Sequence, residues 1–365
     1  MYKLSMFQVV TVTCTSFLPL LFWIFPRYAA NSAGVDGQWA LLGTCLIALF
    51  SAWVHGLLNT RFHKWSGADM PKLVYGNFIG KTVTMLFVPG YLLFIAVSLY
   101  SFSITLKALL PNTPRLATIA SLTLVSIMGA MYGIEAISRV ASIIFPVTIL
   151  VLGASFIFVL FRGSWTGVFL HPVSISRSIS VASQLLPMFF GLNQYIMLSP
   201  YYDHRNRNAV WLPIFCVGFS SALILSVYVI TIRVVGYEGL RVLAHPIDFV
   251  LQLVQLHGLI IQRFGVVLVF ISTMFEAVFF ANHLWALSEA SRRLLQLKKT
   301  SERWFIFTYA VITVIMFQVI PNQQIGDWIV LHILVPLSWF YLVIEPSMKL
   351  FLSYVRSNRL KSGAN

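Results

Sequence analysis

The chain has 365 residues, of which 58% are hydrophobic and 10% charged, and its mean hydropathy is +0.83. A soluble domain averages roughly 25% charged residues, so this chain cannot clothe a water-facing surface, and disorder, collagen, coiled coil and a disulfide scaffold are excluded on the same numbers. A net charge of +14 would raise nucleic acid in a soluble protein; here the basic residues sit in loops beside apolar runs, where they act as topology signals and contacts for the lipid bilayer, so no nucleic-acid partner is expected.

The apolar runs are continuous rather than alternating, which predicts an all-α polytopic membrane protein and not a β-barrel. In chain order the helices are expected at about residues 5–30, 39–58, 82–109, 116–132, 140–161, 178–200, 209–232, 259–287, 304–320 and 329–344. Trp39, Trp211, Trp304 and Trp328 stand at span starts, as an interfacial belt requires. The first run follows Lys3 and ends near Ala29-Ala30-Asn31-Ser32-Ala33; it is too long for a signal peptide, with Arg27 before the small residues, and reads as an uncleaved span. With the N-terminus inside, seventeen of the 25 Lys and Arg fall on the inner side and eight on the outer. That bias, with an even span number, places both termini in the cytoplasm.

One transmembrane domain over 1–365 is expected, with a first half at about 1–162, a second at about 175–346 and a tail at 347–365. The inner segment 61–81 mixes charge with Trp65, Leu73, Val74, Phe78 and Ile79 and reads as an amphipathic interfacial segment. The outer segment 236–258 carries helical spacing over 248–256 and reads as a short outer helix.

Two spans cannot be regular. Pro19 lies near the middle of the first, and Pro187 with Gly191 interrupts the sixth. Proline removes a backbone hydrogen bond and clashes with the previous turn, and in a bilayer the freed carbonyls need a partner or a cavity. These are the leading helices of two five-helix halves, and an odd number of helices inverts the second half. Matching interruptions in inverted halves point to a midplane binding site; a simple proline kink is the plain alternative. Exposed half-helix N-termini suit a carboxylate, and unwound carbonyls suit an ammonium or small cation, so the geometry favours a zwitterion such as an amino acid.

Glu276 is the one acid deep inside a span, and a buried carboxylate there is functional by default. A protonated glutamate bonded to neighbouring backbone is the alternative. Phe279 and His283 lie three and seven residues on, on one helix face; a packing role for His283 is the alternative. Tyr91, Ile95 and Ser98 share a face of the third span, and Asn193 and Gln194 follow the sixth-span break. Cys14, Cys45 and Cys216 lie in apolar runs and read as small hydrophobes. Gly76 to Thr82 has P-loop-like glycines one residue too close, with no preceding strand. There is no HExxH or GxSxG pattern, and the GxxxG spacing at Gly163 and Gly167 sits in a loop. No metal, cofactor or catalytic constellation is expected, so the chain is read as a non-enzyme.

Phe7-Gln8 opens the first span and Phe25-Pro26-Arg27 closes it; Gly133-Ile134-Glu135 and Ser138-Arg139 join spans four and five; Gly258-Leu259-Ile260-Ile261-Gln262-Arg263-Phe264 leads into the eighth. In their order and spacing these stretches resemble the B subunit of spore germinant receptors, a branch of the amino acid–polyamine–organocation transporter superfamily. The resemblance implies a LeuT-like 5+5 inverted repeat and a nutrient-sensing subunit of the inner spore membrane. It implies an A subunit and a lipoprotein C subunit as partners. It also implies a germinant, typically an amino acid, in a pocket made by spans one, three, six and eight. Carried over, the first break covers Ser16, Phe17, Leu18 and Pro19, and the sixth covers Phe190 and Gly191 beside Pro187. The walls fall near Ile95 and at Phe279 and His283. Relatives often carry Gly-Ala-Gly at the first break, where Leu18-Pro19-Leu20-Leu21 stands here, and Gln262 replaces an acid. An amino acid or amine transporter with Glu276 as proton carrier, and a structural subunit without a ligand, are the competing readings.

Overall fold

A computed structural model describes residues 3–19, 25–109, 112–160, 174–202, 210–242, 250 and 264–355. Among the described residues eight helices are long and apolar enough to cross a membrane: Gly37–Arg61, Asn77–Lys107, Arg115–Tyr132, Ile134–Ile157, Trp211–Leu240, Phe270–Leu294, Lys299–Val319 and Gln323–Val355. They correspond to spans two to five and seven to ten. The remaining two are the interrupted ones. The first is helical over Met6–Thr15 and again over Phe25–Ala33. The sixth is helical over Ile175–Leu185, 3-10 over Leu186–Leu192 and helical again over Asn193–Met197.

The second span lies against the seventh, the eighth against the third, fourth and fifth, and the ninth against the third and fourth. One apolar core runs through the bundle. Large side chains such as Leu46, Leu124, Met128, Ile143, Leu150 and Ile315 are exposed around it, where a bilayer would cover them. All three cysteines are buried. The first helix starts with a capping box in which the Ser5 and Gln8 side chains satisfy each other's backbone amides.

Three segments differ from expectation, wholly or in part. The inner segment 61–81 keeps Trp65, Phe78 and Ile79 exposed, as an amphipathic segment would, and is also tied to the bundle. Its short helix Met70–Tyr75 buries Met70, Pro71 and Val74 against the bundle. Asp69 pairs with Arg293 at 2.8 Å, and Lys72 donates to the Arg293 and Leu294 carbonyls at 3.2 and 3.3 Å, closing the end of the eighth span. Burial, opposed by Asp69, holds the Lys72 ammonium below its ordinary pKa. The tenth span runs beyond Ile344 to Val355, and two π-helical stretches, Val330–Leu334 and Trp339–Ile344, wind it loosely. The seventh span turns at Gly236, whose φ of 73° favours glycine. The expected outer helix at 248–256, the GxxxG pair, Leu20 and Leu21, and residues 258–263 lie outside the described residues, apart from Val250.

Candidate functional site

The first interruption needs little besides its own side chains. Thr15 and Ser16 both donate their hydroxyls to the Val12 carbonyl at 2.8 Å. The Ser16 carbonyl is left to accept from His283 Nε2 at 2.9 Å. In the sixth span Pro187 cannot donate a helical bond, and the chain tightens into a 3-10 turn. Asn193 Nδ2 then caps that turn by donating to the Phe190 carbonyl at 2.9 Å.

The two interruptions meet at Gly191. An added Cβ there would lie 2.6 Å from the Ser16 carbonyl carbon and 3.3 Å from the Phe17 nitrogen. Only glycine lets one backbone approach the other so closely.

A buried polar network ties the junction to the third and eighth spans. Tyr91 Oη lies 2.7 Å from His283 Nδ1 and 3.2 Å from Gln194 Oε1. Gln194 Nε2 donates to the carbonyl and the side-chain oxygen of Asn282. Asn282 Nδ2 donates to Ser16 Oγ at 2.8 Å and to the Val12 carbonyl at 3.3 Å.

Donor arithmetic fixes the protons. The Val12 carbonyl only accepts, so the Asn282 amide nitrogen faces it, and the Gln194 amide is oriented in turn. The Ser16 carbonyl likewise places a hydrogen on His283 Nε2, and in the neutral ring Nδ1 then accepts from Tyr91. The single Tyr91 hydrogen therefore faces two acceptors, and the shorter bond takes it. Gln194 Oε1 is left short of a donor.

The sequence places a hollow here, but aromatic side chains fill it. Phe94 packs against Phe190 at 5.3 Å, His283 at 5.6 Å and Phe279 at 6.1 Å between ring centres. Phe279 meets His283 at 4.2 Å, and Phe17 meets Phe189 at 5.6 Å. Phe17, Leu18, Phe190, Phe279 and His283 are all fully buried. Bulky residues at the first break and rings from four spans leave the arrangement closed.

The structure gathers Ser16, Phe17, Tyr91, Phe190, Gly191, Phe279 and His283, and sets Asn193 beside them. Leu18, Pro19, Pro187 and Ile95 are buried at or near the junction. Ser98 spends its hydroxyl on the Phe94 carbonyl at 2.7 Å. Glu276 is buried, and its Oε1 has no hydrogen-bond partner among the described residues.

Sequence reasoning missed Phe94 and Asn282. Asn282 was detectable as an amide inside a span directly before His283; Phe94 looked like any other apolar residue.

Among the described residues, further spaces lie outside the junction. A cleft of about 1100 Å³ is bounded by Tyr132, Tyr201, Trp285, Lys299, Arg303 and Trp304. At its floor Glu289 accepts from Tyr201, Arg292 and Arg293. A cavity of about 40 Å³ borders Asn193, Phe87, Thr84, Tyr341 and the buried pair Glu345–Lys349. No metal-binding group occurs among the described residues.

No curated protein matches the chain in sequence. A solved structure of a Na+-coupled sialic acid symporter, in a substrate-bound outward-open state, superposes with a TM-score of 0.61 at 12% identity, over 94% of this chain and 79% of that one. The chain therefore has the LeuT-like fold of ten helices in two inverted halves with interrupted first and sixth helices, and its apolar helices make it a multi-pass membrane protein. A family model described as spore germination protein matches residues 3–325, so the chain belongs to the spore germination protein family.

Proposed function

We propose that this chain is the membrane subunit of a spore nutrient germinant receptor. In this reading a small germinant binds where the two interrupted helices meet, parts the rings that now fill the junction, and so helps trigger germination. The proposed location is the inner spore membrane with both termini in the cytoplasm, and the proposed partners are an A subunit and a lipoprotein C subunit. Family membership and the transporter fold support the reading. The observation that carries it is the junction itself: two breaks in backbone contact, bonded through Ser16, Tyr91, Gln194, Asn282 and His283 to the third and eighth spans.

A ligand signals only through differential affinity for two arrangements. Binding an open arrangement a hundredfold more tightly than the closed one is worth about 2.7 kcal/mol. That is comparable to a few of the buried hydrogen bonds that hold the junction shut.

The test is a spore lacking this chain. It should lose a nutrient response and regain it only when the chain is supplied with its partner subunits. Substitution of Gly191, Phe279 and His283 with no change in the response would remove the junction from the account.

Glu276 supports a second reading, transport of an amino acid or amine by alternating access, because its carboxyl is buried with an unmet oxygen and can carry a proton. Saturable uptake of a labelled amino acid into vesicles by this chain alone would favour it.

A further inference from the structure

At the end of the bundle that the charge bias assigns to the cytoplasm, the cleft of about 1100 Å³ opens among the ends of the fourth and eighth spans and the start of the ninth. Its chemistry is independent of what the junction binds.

The floor of the cleft is balanced in charge. Glu289 accepts from Arg292 and Arg293, and Arg293 also meets Asp69, so two acids face two bases. Glu135 on the wall pairs with Arg139 at 2.6 Å. The mouth is not balanced. Lys299 and Arg303 are exposed, and their side chains make no hydrogen bond or ion pair among the described residues. Of the described acids that line the cleft, Glu302 alone is left to offset them, so one net positive charge remains.

The rim is apolar. Tyr132 and Trp304 are each 76% exposed, and Phe307 is 53% exposed. Beyond them Leu124 and Met128 on the fourth span, and Val311 and Ile315 on the ninth, continue at helical spacing as two exposed stripes that lead from the cleft into the depth of the bilayer. Trp and Tyr rings stand at headgroup depth, and basic pockets between spans on the cytoplasmic side hold anionic lipid headgroups. The arginine fork adds directed hydrogen bonds to phosphate oxygens. An acidic peptide would answer the charge but has no counterpart for the stripes; a phospholipid carries both in one molecule.

We propose that this cleft is a binding site for an anionic phospholipid of the cytoplasmic leaflet, with its phosphodiester held by Lys299 and Arg303, its glycerol flanked by Tyr132 and Trp304, and its acyl chains laid along the fourth and ninth spans.

The test uses the purified full-length chain in phosphatidylcholine nanodiscs at constant ionic strength, prepared with rising fractions of phosphatidylglycerol that carries brominated acyl chains. Brominated phosphatidylcholine is the matched control, and quenching of tryptophan fluorescence is read. Quenching by the phosphatidylglycerol should saturate, at a mole fraction about fivefold or more below the half-effect of the control. Trp304→Phe should remove most of the saturable part. A basic side chain at an anionic surface is worth about fivefold in affinity, so Lys299→Gln and Arg303→Gln should each weaken the apparent affinity by about that factor, while Arg303→Lys keeps most of it. Lys64→Gln takes the same charge from an exposed position outside the cleft and should leave the affinity unchanged.

Equal quenching by the two lipids, or a Lys64→Gln variant as impaired as Arg303→Gln, would reduce the preference to diffuse surface charge and overturn the site. Displacement of the phosphatidylglycerol by soluble glycerol phosphate would make the cleft a site for free anions, and displacement by an acidic octapeptide would assign it to a protein segment; either would overturn the lipid assignment. Thermal unfolding of each variant separates a lost site from a lost fold.

Discussion

Replacing Gly191 with alanine should drive apart the two interrupted helices. The added carbon would lie 2.6 Å from the Ser16 carbonyl carbon, inside any real contact distance. A neighbouring side chain can rotate away from such a clash, but a backbone carbonyl held by His283 cannot. Overpacking a dense interior costs about 1–3 kcal/mol, and a rigid backbone neighbour puts this site at the upper end. About 3 kcal/mol is roughly a hundredfold in an equilibrium constant. The built-in control is Gly153→Ala in the fifth span, where nothing lies within 4 Å of the new methyl. That change should be neutral or stabilising by about 0.5–1 kcal/mol through helix propensity. Thermal unfolding of both variants in the same detergent reads the difference, and a cysteine cross-link pair across the junction reads the separation. Equal midpoints for the two variants would refute the close approach and, with it, the claim that the breaks touch.

Tyr91→Phe should cost about 1–3 kcal/mol, because His283 Nδ1 loses its donor inside the core; a cycle with His283→Gln should show coupling, and additive effects would dissolve the network. Lys349→Met should cost about 3–5 kcal/mol by stranding the buried Glu345. Adding Glu345→Gln should recover much of that loss, and a double variant no better than the single would argue against a mutually dependent pair. Glu276→Gln should fold and accumulate in the membrane like the natural chain, since no bond to Oε1 is lost; severe loss of accumulation would point to an essential structural carboxylate.

Much of the architecture was legible because a bilayer imposes it. Ten apolar runs had to be helices, since no other single-chain element satisfies its backbone among acyl chains besides a closed barrel. Pro19 and Pro187 marked the breaks because a missing amide hydrogen is a property of the residue, whatever surrounds it. Glu276 and His283 stood out because polar groups are rare where they sit. The inner segment at 61–81 was legible only in part: Trp65, Phe78 and Ile79 are exposed as an amphipathic segment requires, while the pairing of Asp69 with Arg293 exists only once the bundle is assembled. The extension of the tenth span past Ile344 was hidden because Glu345 and Lys349 read as the start of a polar tail, and they bury together as an ion pair one helical turn apart.

From its residues alone the chain was bound to cross a membrane many times and to interrupt two helices, because hydropathy and the proline ring act locally. Whether those interruptions enclosed empty space was a matter of three-dimensional neighbours. Phe94 from the third span, Phe190 from the sixth and Phe279 from the eighth converge from residues far apart in the chain, and only their convergence closes the gap. The hydrogen count at Tyr91 has the same origin: its two acceptors come from different helices, so the shortage of donors exists only once the bundle is assembled.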